Sequence, residues 1–318
     1  MTDGDIGMQL LVKQLTWESD GVLSIGLVDP DGADLPTWAP GAHIDLTLRS
    51  SIVRQYSLCG DPSDRRSYRV AVLREQAALG GSEFVHEGLR PGHRLDVAGP
   101  RNNFTLLPAR RYVFIAGGIG ITPILPMIKA VHARGADWTL YYGGRRRASM
   151  AFLDELASYG HHVKVLPEDE VGLVDLGGAI GAPVEGTAVY CCGPEGLLGA
   201  VEAHMGSWPD GALQVERFKA KVRESPVGGD VGFEVTCARS GVVVRVPPDR
   251  SVLECLEQAG VTVPSSCRDG ICGTCETKVL AGVPDHRDSL LSAAEQAAGL
   301  SMMVCVSRAT SDTLELDL

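Results

Sequence analysis

Residues 267–275 read CRDGICGTC, and thirty positions beyond the last of them stands Cys305. Cys267, Cys272, Cys275 and Cys305 thus fall in the spacing C-x4-C-x2-C-x29-C, the ligand pattern of a plant-type [2Fe–2S] cluster. A tight loop can bring three thiolates to two irons while the fourth arrives from a distant strand. Gly270, Gly273 and Thr274 keep the loop small, so that its backbone N–H groups can approach the cluster sulfurs. The rival is structural zinc, which usually shows paired C-x2-C knuckles or histidines, whereas only Cys272 and Cys275 form such a pair here. A disulfide reading is weaker, because a charged chain without a signal belongs in a reducing compartment. The other five cysteines, Cys59, Cys191, Cys192, Cys237 and Cys255, have no metal spacing and read mostly as small buried apolar residues.

Upstream of the loop, VGFEVTCA and VVVRVP suggest a hairpin, and SVLECLEQAG a short helix capped by Ser251 and closed by Gly260. Before these, KVRESPVGGD mixes Pro, Gly and charge without periodicity and reads as a linker. From Arg111 the chain alternates strand with helix: YVFIA, a helix from Thr122, WTLYYG, a helix near Met150–Leu156, HVKVL, AVYCCG, a helix from Pro194, then LQVERF. That rhythm implies a parallel sheet covered on both faces. Residues 8–108 hold short alternating runs bounded by DPDG, GDPSD and PG turns, as a small barrel or sandwich would. The expected domains are 1–108, 109–222 and 231–318, with a linker over 223–230.

The length of 318 residues suits two or three domains. Net charge is −11, with 40 acids against 29 Lys and Arg, which argues against nucleic acid as the main partner. From Pro226 onward 13 acids face 7 bases, net −6, so the last third carries more than half of the imbalance. Solubility alone would explain this, and so would an acidic face that steers docking onto a basic partner. The N-terminus MTDGDIGMQL is acidic and lacks an apolar core, so no secretory signal is read. The uncharged stretch Tyr112–Ile128 contains glycines and prolines and reads as strand, turn and helix start, not as a membrane span. We expect a cytoplasmic monomer.

Four further segments bear on chemistry. Arg54-Gln55-Tyr56-Ser57 lies on an expected strand, with Arg54 and Tyr56 on one face and Ser57 at its end; a packed cross-strand pair is the plain alternative. Gly80-Gly81-Ser82 opens an expected helix and suits either an anion or an ordinary helix cap. GGIGITP, residues 117–123, follows a strand, with Thr122 as N-cap and Pro123 at the first helical position. Its glycines miss the G-x-G-x-x-G pattern. Tyr190-Cys191-Cys192-Gly193-Pro194-Glu195 repeats the device at another strand end, where open α/β sheets bind ligands.

In this order, these segments and the terminal cysteine set resemble the phthalate dioxygenase reductase and vanillate demethylase reductase family over nearly the whole chain. The resemblance implies an antiparallel β-barrel flavin domain, an α/β parallel-sheet nucleotide domain and an α+β ferredoxin domain of β-grasp type. It implies an NADH-dependent oxidoreductase holding FMN and a [2Fe–2S] cluster, with electrons passed singly to a separate terminal oxygenase, a Rieske non-haem iron enzyme or a cytochrome P450. Arg54 matches the arginine on the flavin phosphate, Tyr56 the ring against the isoalloxazine, and Ser57 the hydroxyl near flavin N5. Gly80, Gly81 and Ser82 match the flavin phosphate loop, Gly118, Gly120 and Thr122 the nicotinamide-nucleotide turn, and Cys192 the cysteine beside the nicotinamide. Phe218 matches an aromatic that shields the flavin, with core or linker packing as its alternative. Arg145, Arg146 and Arg147 offer guanidinium groups where a 2′-phosphate would lie, or form a solvated basic turn. Other readings are the electron-transfer subunit of a dihydroorotate dehydrogenase, whose cysteines are more compactly spaced, and a redox sensor or ferredoxin-type binding module without nucleotide turnover.

Overall fold

In the computed structural model, which describes residues 7–49, 52–75, 80–221 and 229–318, the alternating runs of the first hundred residues become six antiparallel strands. These are β1 (Gly7–Ser19), β2 (Val22–Val28), β3 (Ala42–Thr47), β4 (Val53–Ser57), β5 (Tyr68–Leu73) and, after helix α1 (Gly81–Glu87), β6 (Arg94–Asn102). Their order is β4-β3-β6-β1-β2-β5. The two outer strands are drawn together just past Ser57, where Leu58 bridges Val70 and Cys59 N donates to Arg69 O at 2.8 Å, so the sheet curls into a barrel. Every second side chain turns inward: Leu10, Val12, Ile25, Leu27, Ile44 and Leu46 are fully buried in one core, and Val85 of α1 joins it.

The alternating region that follows folds into five parallel strands. β7 (Arg111–Gly117) leads into α2 (Ile121–Ala133), β8 (Asp137–Gly144) into α3 (Leu153–Ala157), and β9 (Val163–Pro167) into the short helices α4 (Glu168–Val171) and α5 (Leu176–Ile180). β10 (Thr187–Cys192), α6 (Glu195–His204) and β11 (Leu213–Glu216) complete the order β11-β10-β7-β8-β9. Alternation divides each strand between two cores. Phe114, Tyr190 and Cys192 pack with α2, whereas Ile115, Val189 and Cys191 pack with α5 and α6. Helix α2 begins at Ile121, two residues earlier than its Thr-Pro pair suggests, because a 3-10 turn over Gly118–Gly120 runs straight into it. Thr122 is therefore not the N-cap, and its hydroxyl donates back to Ile119 O at 3.0 Å.

Barrel and parallel sheet belong to one compact unit, Met1–Glu216, and an ion network joins them. Glu155 on α3 accepts from Arg69 of β5 at 2.9 Å and from Lys129 of α2 at 2.8 Å. The Arg69 guanidinium also lies 5.0 Å from the Phe152 ring.

The second unit is Arg217–Leu318. Most of the expected linker, 223–230, falls on residues 222–228, which lie outside the described residues. The hairpin of β12 (Phe233–Cys237) and β13 (Val243–Val246) is followed by α7 (Val252–Gln258). This helix has the expected Ser251 cap, completed to a capping box by Glu254. Then come β14 (Glu276–Ala281), β15 (Pro284–Asp285), α8 (Ala293–Ala298), β16 (Ser301–Met303), β17 (Arg308–Ala309) and β18 (Thr313–Leu316). The main sheet runs β13-β12-β18-β14-β16, with β12 and β18 parallel. Leu253 and Leu256 of α7 share its core with Val235 and Leu314, the mixed sheet and covering helix of a β-grasp domain.

Burial pushes the Glu155 carboxyl up, but the hydrogen bond from Lys129 and the charge of Arg69 outweigh it and hold it below its ordinary value. Its stabilising contribution is therefore present above about pH 4.5 and lost as pH falls through the lowered value. Glu155→Gln should cost about 1–3 kcal/mol at neutral pH, a fall in Tm of roughly 2–4 °C per kcal/mol. Thermal melts of both proteins from pH 7 downward should converge in acid.

Candidate functional site

Strand alternation puts Arg54 and Tyr56 on one side of β4, opposite Leu46 and Ile44 of β3. Burial pushes the Tyr56 phenol up to about 12, even though the Arg54 charge draws it down; Glu75 adds to the rise. Tyr56 thus stays a neutral, half-buried ring. Across from Arg54, α1 begins. A Cβ at Gly81 would lie 3.0 Å from Arg54 Cγ and 3.2 Å from its Nε, so the absence of a side chain lets the backbone approach the arginine closely. Gly80, in the left-handed region at φ 80°, turns the chain into the helix. Ser82 is buried, and its Oγ accepts from Glu75 N at 3.2 Å, leaving its proton to donate. A guanidinium fork, first-turn N–H groups and a hydroxyl form the donor set a phosphate monoester requires, and Tyr56 offers the apolar face a flavin needs. These residues fit FMN.

The two glycine turns meet at the carboxyl ends of β7 and β10. A Cβ on Gly120 would stand 2.2 Å from the Cys192 carbonyl oxygen, so the backbones touch directly. At Gly118, where φ is +55°, a Cβ would meet nothing within 4 Å. The turn is therefore packed on its Gly120 side and open on its Gly118 side, where a dinucleotide can approach. Thr122 is buried, and its hydroxyl is bonded within the turn.

At that junction the structure adds a residue whose role the sequence pattern did not reveal. Glu216, the last residue of β11, accepts from Ser57 Oγ at 3.4 Å and from Cys192 Sγ at 3.9 Å, both at Oε2. Burial pushes its carboxyl up to about 8, and the two hydrogen bonds only partly counter this. Cys192 is raised well above the ordinary thiol range by burial first and by Glu216 second. Ser57 and Cys192 are buried and Glu216 is partly so, and a carboxyl raised to about 8 is mostly protonated at neutral pH. The available signal was position: an acid at the carboxyl end of a parallel strand faces the ligand crevice.

In the second unit the four thiols converge. Cys267 is hydrogen-bonded with both Cys272 and Cys305, and Cys275 with Cys305. Those bonds hold Cys267 and Cys275 below the ordinary thiol value against the effect of burial, while Cys272 and Cys305 are pushed up by the same neighbours. Asp269 N donates to Cys267 Sγ at 3.3 Å. Left-handed Gly270, at φ +69°, packs against the 288 region, where a Cβ would fall 2.5 Å from Val306 Cγ2 and 3.1 Å from Asp288 Cα. Four converging thiols with backbone N–H donors fit the dicationic core of a two-iron cluster.

Phe218 falls in this second unit and is 38 % exposed. Of the three arginines after β8, Arg147 is held by Glu170 through bonds of 3.0 and 2.6 Å, while Arg145 and Arg146 are exposed.

Comparison with known proteins agrees with both units. Residues 114–203 match the oxidoreductase NAD-binding domain and residues 235–310 the 2Fe-2S iron-sulfur cluster binding domain. The chain is 42 % identical to the phenoxybenzoate dioxygenase subunit beta of Ectopseudomonas oleovorans over 313 residues, 98 % of this chain and 97 % of that protein. It superposes on the crystal structure of phthalate dioxygenase reductase with a TM-score of 0.72 at 36 % identity, covering 99 % and 98 % of the two chains. The chain belongs to the phthalate dioxygenase reductase family.

A third match, an intact type IV self-sufficient cytochrome P450 monooxygenase, has a TM-score of 0.92 at 46 % identity; it covers 98 % of this chain, which spans only 41 % of that longer one. Like the family, the chain is an NAD(P)H-dependent oxidoreductase with FMN and a [2Fe–2S] cluster, the reductase component of an oxygenase system. Among the described residues no helix is long and apolar enough to cross a membrane.

For Glu216 the raised carboxyl value means that its stabilising contribution is complete below about pH 4.5 and is lost as pH rises through about 8. Melting curves of Glu216→Gln should therefore lack the wild-type loss of stability between those limits. NADH oxidation by ferricyanide should likewise lose an inflection near pH 8 that the wild type shows.

Proposed function

We propose that this protein takes hydride from NADH at the junction of barrel and parallel sheet and delivers electrons one at a time to a separate terminal oxygenase, of Rieske or cytochrome P450 type. The observation that carries this reading is the meeting of Ser57, from the end of the flavin-side strand, with Cys192, from the end of a nucleotide-side strand, on the single carboxyl of Glu216. Two half-sites that share one point are built to hold two rings face to face. FMN bound on Tyr56 supplies the conversion of a two-electron hydride into single electrons.

The chain's own residues bind and orient. Arg54, Gly80, Gly81 and Ser82 anchor the flavin phosphate, and Tyr56 packs on the ring. Gly118, Gly120 and Thr122 shape the nucleotide turn, Ser57 and Cys192 flank the reacting atoms, and Phe218 shields the flavin. Cys267, Cys272, Cys275 and Cys305 hold the cluster. Glu216 mostly keeps its proton at neutral pH, so this carboxyl presents little fixed charge to the nicotinamide. We divide the chain into a flavin domain over 1–108, a nucleotide domain over 109–222, a linker over 223–230 and a ferredoxin domain over 231–318, and read it as a cytoplasmic monomer. The P450 alternative for the partner is supported by the self-sufficient P450 match, and the Rieske alternative by the dioxygenase reductases.

Cys272→Ala should abolish the cluster, spare NADH oxidation by ferricyanide and remove cytochrome c reduction. Cytochrome c reduction at the wild-type rate in that variant would refute the route. Tyr56→Ala should weaken flavin retention about tenfold, from the loss of roughly 1–1.5 kcal/mol of ring packing, as read by flavin fluorescence on dilution. A cluster without stoichiometric flavin or NADH turnover would instead support the redox-sensor reading.

A further inference from the structure

Behind the cluster loop lies a buried pair that the proposed route does not use. The Asp288 side chain is fully buried and His286 nearly so, with Nδ1 of His286 3.7 Å from Oδ1 of Asp288. The other carboxylate oxygen, Oδ2, accepts from Leu290 N at 3.1 Å and Leu291 N at 2.7 Å. The segment is fastened to the cluster loop on one side, where Ser289 N donates to Gly270 O at 3.0 Å. On the other side Arg287 N donates to Ser307 Oγ at 3.1 Å, two residues beyond Cys305. Gly270 itself sits between Asp269 and Ile271, whose backbone N–H groups serve Cys267 sulfur. Asp288 therefore stands one layer of backbone behind the ligands, with its Cα 3.1 Å from where a Gly270 Cβ would be.

The nearest basic group is His286, 3.7 Å from Oδ1, which offsets the carboxylate only when protonated. Arg287 is held by two carboxylates of its own, Asp230 at 2.9 Å and Asp285 at 2.7 Å. The Arg308 guanidinium donates to the carbonyls of Arg250, Pro247 and Val231, and the carboxylate nearest to it is Asp230 at 3.8 Å. A carboxylate in this position interacts through little water, where charge acts over longer distances than at the surface. Reduction adds one electron to the cluster and breaks no bond, so the centre gains one negative charge. The potential of such a centre follows the net charge around it.

We propose that the Asp288 carboxylate is a fixed negative charge that lowers the reduction potential of the cluster and makes its reduced form a stronger donor to the oxygenase. Asp288 acts on the cluster through its charge and is not a ligand. The inference rests on the four-cysteine ligand assignment. A plain turn-capping role for Asp288 predicts something different, because an amide oxygen can accept the Leu290 and Leu291 N–H bonds as a carboxylate does.

The test is an anaerobic dithionite titration of the full-length holoprotein, with redox mediators, following the EPR signal of the reduced cluster. Asp288→Asn should load the cluster and raise its midpoint potential, and Asp288→Glu should return the midpoint toward wild type. Glu234→Gln, the same charge change at an exposed strand position, should leave it unmoved. A wild-type midpoint in loaded Asp288→Asn overturns the proposal, as does an equal rise in Glu234→Gln. If the amide variant does not load, Asp288→Ser keeps an acceptor without charge and should show the same rise. Failure of both neutral variants to load beside a loaded Asp288→Glu would assign Asp288 to holding the loop, and would also overturn the proposal. Wild-type protein lacking the EPR signal would instead refute the ligand assignment.

Discussion

No side chain fits between Gly120 and the carbonyl of Cys192, where a methyl group would come within 2.2 Å of oxygen. This backbone-to-backbone contact seats the turn after β7 on the turn after β10, and the rest of the hydride site depends on it. It fixes Cys192 at the end of a strand whose parallel neighbour, β11, ends in Glu216, with Cys192 and Glu216 in direct register. The barrel then brings Ser57 to the same carboxyl. The Arg69–Glu155–Lys129 network holds barrel and sheet together, so a hydrogen bond between residues 159 positions apart has a defined length.

The two units treat charge in opposite ways, each suited to its task. Where hydride is expected to move, burial keeps Cys192 protonated, raises Glu216 to about 8 and leaves Tyr56 neutral. An uncharged junction offers no competing base. Around the cluster, Cys267 and Cys275 are held below the ordinary thiol value by hydrogen bonds from their neighbours and from backbone N–H groups. Cys272 and Cys305 are pushed up by the same neighbours, and irons between the four would supply the positive charge that lets all of them serve as thiolates.

What could be read in the sequence was what is local. The cluster loop is nine residues with a fixed spacing, the Ser251–Glu254 box spans four residues, and strand alternation shows itself within five or six. The start of α2 was misread because Thr-Pro is a good cap by composition, while the Gly118–Gly120 turn that pre-empts it has no pattern of its own. Glu216 was quoted in its segment without a role, since its meaning depends on partners 24 and 159 residues away. Asp288 and His286 sit in a run, DHRDS, whose composition suggests a solvated turn. Only the fold shows that these side chains are buried.

The placement of Asp288 bears on how a chain of this kind sets the direction of electron flow. Nothing in the ligand spacing distinguishes a strong one-electron donor from a weak one, because the same four thiolates serve both. The difference lies in the surroundings, and here the nearest surroundings are a backbone layer with a buried carboxylate behind it. Exposed acids of the same unit lie in water, where salt screens them beyond about 10 Å. Their number suits approach to a partner more than tuning of the centre. A buried acid has the reverse character, since it contributes little to long-range steering and much to the local potential. The acidic balance of the last third therefore serves two separable ends, and burial decides which residue serves which.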